Sequence, residues 1–330
     1  MEHFYSLGPE AMLDAVESAL GAGTRATGRC LALNSLENRV CDIELEAAAD
    51  DDPGHVVAKF YRPGRWSREA ILEEHRFLAE LVAAEVPAVA PLPLQNGSTL
   101  ASTGDGILFA VFPKIRGRSL QELSDAQLQQ VGRFLGRIHN VGAAAPASHR
   151  LQLTAETYGT QALAYLVSSG TIDIQVQSRY ERTATAIIKT VAPMLAAVPA
   201  HRLHGDCHLA NLLWVGEGAL FLDFDDMLTG PAVQDIWMVV RGRDAEADRQ
   251  RAVMLDGYEQ LRRFDRTTLR LVEPLRALRM LHFAAWIARR WADPTFQRMF
   301  PDFPTYRYWA DETSALEEQL QQVLGASLLG

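Results

Sequence analysis

The chain has 330 residues, 48% hydrophobic and 22% charged, enough for a large core and beyond the size at which one core usually divides, so two lobes are expected. A net charge of −9, with the 32 Lys and Arg residues scattered rather than clustered, argues against a nucleic-acid surface. Cys30, Cys41 and Cys207 form an odd, widely spaced set, which suits reduced thiols in a cytoplasmic protein.

The amino-terminal residues show no basic region followed by an apolar stretch, so no signal peptide is read. Pro9 to Leu20 reads as a short helix, with Pro at its start and Gly21 just beyond its end. Strand-like segments follow at Arg29 to Leu33, Val40 to Glu46 and His55 to Tyr61, with the acidic Asp50-Asp51-Asp52-Pro53-Gly54 as the turn between the last two. Ser67 is a candidate N-cap, after which Ile71, Glu74, Phe77, Leu78 and Leu81 recur at helical spacing.

Pro87 to Pro93 is a Pro-rich connection, and Ile107 to Phe112 is an apolar strand that ends at Pro113; Gly117 and Ser119 then break the pattern. The boundary is placed there: residues 1–113 as an N-terminal nucleotide-binding lobe, 114–330 as a C-terminal catalytic and substrate lobe, with a hinge about 112–118. Leu120 to His139, Ala155 to Ser168 and Ile174 to Ala197 read as helices, and the region after Asp235 is largely helical. The apolar run 277–287 is interrupted by Arg279 and flanked by Arg276, Arg289 and Arg290, too short and too charged to span a membrane.

Residues 203–226 contain the groups that phosphoryl transfer requires. Asp206 can accept a proton from a hydroxyl, and Asn211 and Asp223 supply the hard oxygen ligands that Mg²⁺ takes. The segment reads as a hairpin with the three-residue loop Gly216-Glu217-Gly218. With Val215 opposite Ala219, Asn211 falls opposite Asp223, which places their Cβ atoms about 4.5–5.5 Å apart. Asp206 lies five residues before Asn211, the spacing of a kinase catalytic loop. Competing readings are a solvated loop with turn-forming Asp residues, or a hydrolase-type metal cluster of His204, Asp206 and His208. The other His residues show no paired spacing to complete such a cluster, so His204 and His208 are expected to hydrogen-bond the loop backbone. Cys207 is expected to fill space.

Lys59, at the end of an apolar strand, is placed to reach the phosphates of a nucleotide. Glu74 shares the apolar face of its helix, where an unpaired carboxylate would be costly. Lys59 is its expected partner, with Glu73 as the second choice.

The order of these parts is that of a bilobal, protein-kinase-like α+β fold: a small antiparallel β-sheet lobe with one main helix, then a larger, mostly helical lobe. The runs His204 to Asn211, Asp223-Phe224-Asp225-Asp226 and Gly230 to Asp235 resemble the aminoglycoside phosphotransferase/choline kinase superfamily. More narrowly, Asn34 to Val40, Lys59-Phe60-Tyr61-Arg62-Pro63 and Arg290-Trp291-Ala292-Asp293-Pro294 resemble the bacterial stress response kinase A family, and the similarity extends over most of the chain.

The resemblance implies a cytoplasmic serine/threonine protein kinase, expected as a monomer, that uses ATP and Mg²⁺ in stress survival. It implies Asp206 as proton acceptor, Asn211 and Asp223 as metal ligands, Asp223 sharing in catalysis, and Ser35 in the loop over the phosphates. Asp235 either braces the catalytic loop, as in the superfamily, or caps the helix that starts at Ile236. The turn Asn34 to Asn38 replaces a Gly-x-Gly-x-x-Gly loop, so the side chains of Ser35 and Asn38 are the expected phosphate donors. Arg276, Arg279, Arg289 and Arg290 are expected in exposed or ion-paired positions rather than against an acidic acceptor. The acceptor is a protein hydroxyl or a small alcohol of the aminoglycoside, choline or homoserine type. A non-catalytic nucleotide-binding scaffold is the other alternative, but every charged group the chemistry needs is present.

Overall fold

In a computed structural model, residues 2–21, 23–46 and 54–328 are described. Five antiparallel strands form the N-terminal sheet: β1 (Ala26–Leu33), β2 (Arg39–Leu45), β3 (His55–Phe60), β4 (Ala101–Ser102) and β5 (Leu108–Pro113), in the order β1-β2-β3-β5-β4. The expected acidic turn lies, apart from Gly54, outside the described residues. Side chains alternate across β3. Val56, Ala58 and Phe60 enter a core with Met12 and Val16, while Val57 and Lys59 line a cavity on the opposite face.

Helix α1 (Glu2–Ser6) leads into α2 (Pro9–Leu20), which has Pro at its first turn and Gly21 (φ 102°) at its end, as expected. Helix α3 (Arg68–Ala83) starts where expected, with Ser67 Oγ accepting from Ala70 N at 3.1 Å. It joins the two halves: Phe77, Leu78 and Leu81 enter the large C-terminal core, and Ile71 packs with Tyr61, Leu100 and Ala110 beneath the sheet. Each such fully buried side chain stabilises the fold by about 1.5–3 kcal/mol.

Beyond β5 come β6 (Arg118–Ser119) and α4 (Asp125–Ala144). α4 begins later than Leu120 because Ser124 and Gln127 form a reciprocal capping box, and its apolar stripe continues past His139. Next are a π-turn at Ala155–Thr160, α5 (Gln161–Ser168), α6 (Ile174–Ala196), β7 (His201–Leu203), β8 (Leu212–Val215), β9 (Gly218–Phe221), β10 (Leu228–Gly230) and α7 (Val233–Val239). The chain ends with α8 (Ala245–Tyr258), α9 (Val272–Arg289), α10 (Pro294–Met299) and α11 (Tyr306–Ser327). β7 pairs with β10, and β6, β8 and β9 form a second small sheet. Among the described residues no helix is long and apolar enough to cross a membrane.

Candidate active site

The β8–β9 hairpin differs from expectation by one residue. Leu212 pairs with Phe221 and Val215 with Gly218, so the loop is Gly216-Glu217 rather than three residues. Gly216 supplies the positive φ (56°) that a two-residue loop needs. The shift sets Leu222 opposite Asn211, with Leu222 N donating to Asn211 O at 2.9 Å. Asp223 therefore does not oppose Asn211 directly. It leaves the strand in a left-handed conformation (φ 57°, ψ 68°), which costs about 1–3 kcal/mol and persists only where the surroundings enforce it. The next residue, Phe224, is buried with ring centroids 5.9 Å from Phe77 and 4.4 Å from His204, and so anchors the turn. Asp223 and Asn211 both line a cavity of about 310 Å³ beneath the sheet and a second, of about 360 Å³, that contains Asp206.

Asp206 sits on a braced loop. Gly205 has φ 87°, and a Cβ there would collide with the carbonyl of Asp226. Asp235 is fully buried and accepts from His204 N (3.0 Å) and Gly205 N (2.9 Å), with His139 Nε2 3.1 Å away. Burial would raise its pKa, but the His139 contact prevails and holds it below the usual value. Asp235 is thus the brace, and the α7 N-cap position belongs to Ala232. Gln234 Nε2 adds a bond to Gly205 O (3.1 Å).

His204 is buried and donates through Nε2 to Leu222 O at 2.9 Å, the backbone bond expected of it. With that ring committed, the hydrolase-type cluster does not form, and no group of metal-ligating side chains of that kind occurs among the described residues. His208 departs from expectation: its Nε2 lies 3.3 Å from Asp206 Oδ2, bonding the carboxylate rather than the backbone.

Asp206 Oδ1 accepts from an Arg279 N–H at 2.8 Å. Burial acts to raise its pKa, yet the His208 contact and the Arg279 charge hold the carboxyl well below the usual range, so it is ionised at neutral pH. Asn211 Nδ2 donates to Asp206 O at 3.0 Å, which leaves the amide oxygen uncommitted.

On the sheet side, Lys59 Nζ lies 3.0 Å from both Asp223 Oδ1 and Asp225 Oδ1, not against Glu74. Burial opposes the charge on Lys59, but Asp223 and Asp225 overcome it and raise the pKa well above normal. The left-handed turn at Asp223 brings two carboxylates within bonding reach of Lys59, and this displaces the expected pair. Glu74 is buried, 3.8 Å from an Arg150 nitrogen, and burial pushes its carboxyl up to about 7. Glu73, the second choice, instead accepts from Ser148 N (2.7 Å) and His149 N (2.8 Å) and fastens that turn.

Ser35 lines both cavities, and its Oγ accepts from Asn38 N at 3.2 Å. Asn38 is not a free donor: Nδ2 is bonded to Asp225 Oδ2 (3.0 Å), and Oδ1 accepts from Arg62 N (3.1 Å). Its amide joins the halves of the molecule instead.

Several residues carried no expected role. Asp225, buried, collects Lys59, Arg65 and Asn38. Arg65 also reaches Asp226 (2.6 Å) and Glu37 (3.5 Å). Three of the four arginines of the 276–290 region are ion-paired, as expected: Arg276 with Glu273 (3.3 Å), Arg279 with Asp206 (2.8 Å) and Arg290 with Glu37 (2.6 Å). The only sequence signal for Asp225 was a surplus of acids after Asp223.

The profile of the phosphotransferase enzyme family (APH) matches residues 35–272. Stress response kinase A of Escherichia coli (strain K12) is 38% identical over 324 residues, covering 96% of this chain and 93% of that protein. The serine/threonine protein kinase RdoA of Salmonella typhimurium (strain LT2) is 37% identical over 317 residues, with coverage of 96% and 93%. Among solved structures, amicoumacin kinase hAmiN in complex with AMP-PNP, Ca²⁺ and Ami superposes with a TM-score of 0.69 at 16% identity, over 89% of each chain. Spectinomycin phosphotransferase with ADP and spectinomycin gives 0.66 at 13% identity, over 95% of this chain and 98% of that one. The bilobal architecture is shared with these structures, and the sequence relatives extend nearly end to end: the chain belongs to the phosphotransferase enzyme family, in its stress response kinase A branch, and is a kinase.

Proposed function

We propose that the protein transfers the γ-phosphoryl group of ATP to a serine or threonine hydroxyl of a protein acceptor, as a monomeric cytoplasmic kinase of the stress response. In this reading residues 1–113 bind the nucleotide and 114–330 supply the catalytic loop and the acceptor site. The observation that carries it is the position of Asn211 and Asp223, which line both the cavity holding Lys59 and the cavity holding Asp206. A phosphoryl group passing from nucleotide to acceptor crosses that junction. The name of the Salmonella typhimurium relative, a serine/threonine protein kinase, supports the acceptor class, and the free thiols of Cys30, Cys41 and Cys207 suit a reducing compartment.

The donor set suits Mg²⁺. Asn211 offers an uncommitted amide oxygen, and the Asp223 side chain is 56% exposed, with one oxygen bonded to Lys59. Mg²⁺ held there would offset the charge on the transferred phosphoryl group. Asp206, kept ionised by Arg279 and His208, accepts a hydrogen bond from the acceptor hydroxyl and then its proton. Lys59 stays protonated beside Asp225 and faces the cavity of about 310 Å³, whose apolar wall of Leu33, Val40, Phe112 and Leu222 suits an adenine ring. Ser35 Oγ is a phosphate donor at the rim of the same cavity.

The test is transfer of labelled phosphate from ATP to a dephosphorylated cytosolic extract, with the metabolite pool analysed in parallel. Label on protein Ser or Thr, lost in Asp206→Asn, is expected. Label confined to metabolites would overturn the protein acceptor, and nucleotide binding without any transfer would overturn the kinase chemistry.

A further inference from the structure

A third cavity, of about 350 Å³, lies between the 62–66 turn, α9 and the start of α10. It shares Arg65, Tyr158, Asp226, His282 and Trp286 with the Asp206 cavity, so an extended acceptor seated at Asp206 continues into it.

Its lining is unbalanced in charge. Four arginines, Arg62, Arg65, Arg289 and Arg290, face two carboxylates, Asp226 and Asp293. Arg62 pairs with Asp293 (2.7 Å) and Arg65 with Asp226 (2.6 Å), and two carboxylates outside this cavity complete the matching of these cations: Glu37 pairs with Arg290 (2.6 Å), Arg65 (3.5 Å) and Arg62 (3.7 Å), and Asp225 with Arg65. Arg289 has no carboxylate within ion-pair distance among the described residues. Its guanidinium sits 4.9 Å from the Tyr165 ring centroid. Arg289 is exposed on its helix, and its charge is crowded by the neighbouring Arg290.

His282 reports the same field. It stacks on Tyr158 (4.0 Å, 16°), and burial, reinforced by Arg289, Arg279, Arg290 and Arg65, drives its pKa to about 3. Its Nδ1 and the indole Nε1 of Trp66 are buried without hydrogen-bond partners. The Trp66 N–H is a donor only, and a buried donor without an acceptor is costly.

Resting on the protein-acceptor reading above, we propose that this cavity is an acceptor subsite that binds a carboxylate side chain of the substrate protein near the phosphorylated residue, with Arg289 as its cation and Trp66 as a neutral donor. The kinase would then select serines or threonines flanked by acidic residues, through a contact separate from the Asp206 machinery.

The experiment uses two peptides alike except for glutamates or glutamines on both sides of one serine. Binding to the full chain is measured by calorimetry, with the nucleotide site filled by AMP-PNP and Mg²⁺. The glutamate peptide is expected to bind on the order of tenfold more tightly. Arg289→Gln should abolish that preference while leaving the melting temperature and AMP-PNP affinity as they were. Equal affinities for the parent protein, or an undiminished preference in Arg289→Gln, would overturn the subsite. Should Arg289→Gln not fold, Trp66→Phe removes the N–H together with the second ring of the indole and should weaken the glutamate peptide, but not the glutamine peptide, roughly threefold; no change there, or an equal loss for both peptides, overturns the subsite equally. Preferential binding of a glutamate peptide that never receives phosphate would leave the subsite standing and defeat the protein-acceptor reading instead.

Discussion

Asp235→Asn tests the brace beneath the catalytic loop. The parent carboxylate accepts from His204 N at 3.0 Å and Gly205 N at 2.9 Å in a fully buried position. An amide can accept from one of these N–H groups, but its own NH₂ then faces the other. One buried donor is left unsatisfied, costing about 1–3 kcal/mol, and the surviving bond loses its ionic component, about another 1 kcal/mol. The total of about 2–4 kcal/mol corresponds to a fall of roughly 4–8 °C in melting temperature, taking about 2 °C per kcal/mol for a chain this long. Because the same bonds position Asp206, kcat should fall by about 10²-fold, the cost of a misplacement near 1 Å. AMP-PNP binding should stay near the parent value. The folded-state pKa of Asp235 is lowered, so its stabilisation is fully present above the unfolded carboxylate value of about 3.9 and is lost only as pH falls below it. The parent–variant difference should therefore be constant from mildly acidic to mildly basic pH. Scanning calorimetry with single-turnover kinetics is the assay. A variant within about 1 °C of the parent with undiminished turnover would refute the bracing role.

Asp206→Asn should reduce phosphate transfer by about 10²–10⁴-fold while the thermal shift given by AMP-PNP persists; full turnover would remove Asp206 from the chemistry. Arg65→Ala leaves Asp225 buried beside fewer cations and should destabilise by about 3–5 kcal/mol in urea titrations, whereas a loss under 1 kcal/mol would show the cross-cleft network to be solvated. Glu74 has a folded-state pKa raised to about 7, so the parent loses stability as pH rises from its unfolded value of about 4.3 through 7. Glu74→Gln should accordingly gain melting temperature relative to the parent at pH 8 but not at pH 5, and a difference independent of pH would contradict the buried, protonated carboxyl.

The sequence by itself determined what short-range physics controls. Pro9 and Gly21 marked the ends of α2, Ser67 capped α3, and the apolar run before Lys59 marked the strand that carries it. The order of Lys59, the α3 acids, the Asp206–Asn211 spacing and Asp223 was enough to indicate a two-lobed kinase, because each signal spans only a few residues. Tertiary structure decided the rest. Gly216-Glu217-Gly218 admits a two- or three-residue loop, and packing of the whole ribbon chose the shorter, moving Asp223 off Asn211 and into a left-handed turn. Lys59 then met Asp223 and Asp225, 164 and 166 residues away, rather than Glu74 on the neighbouring helix. Arg279 on Asp206 and Asn38 on Asp225 are likewise pairings across the fold. Attraction between charges weakens with distance and is screened by solvent, so which partners meet depends on where the packed core carries each backbone segment, and neighbours in sequence contain no record of that.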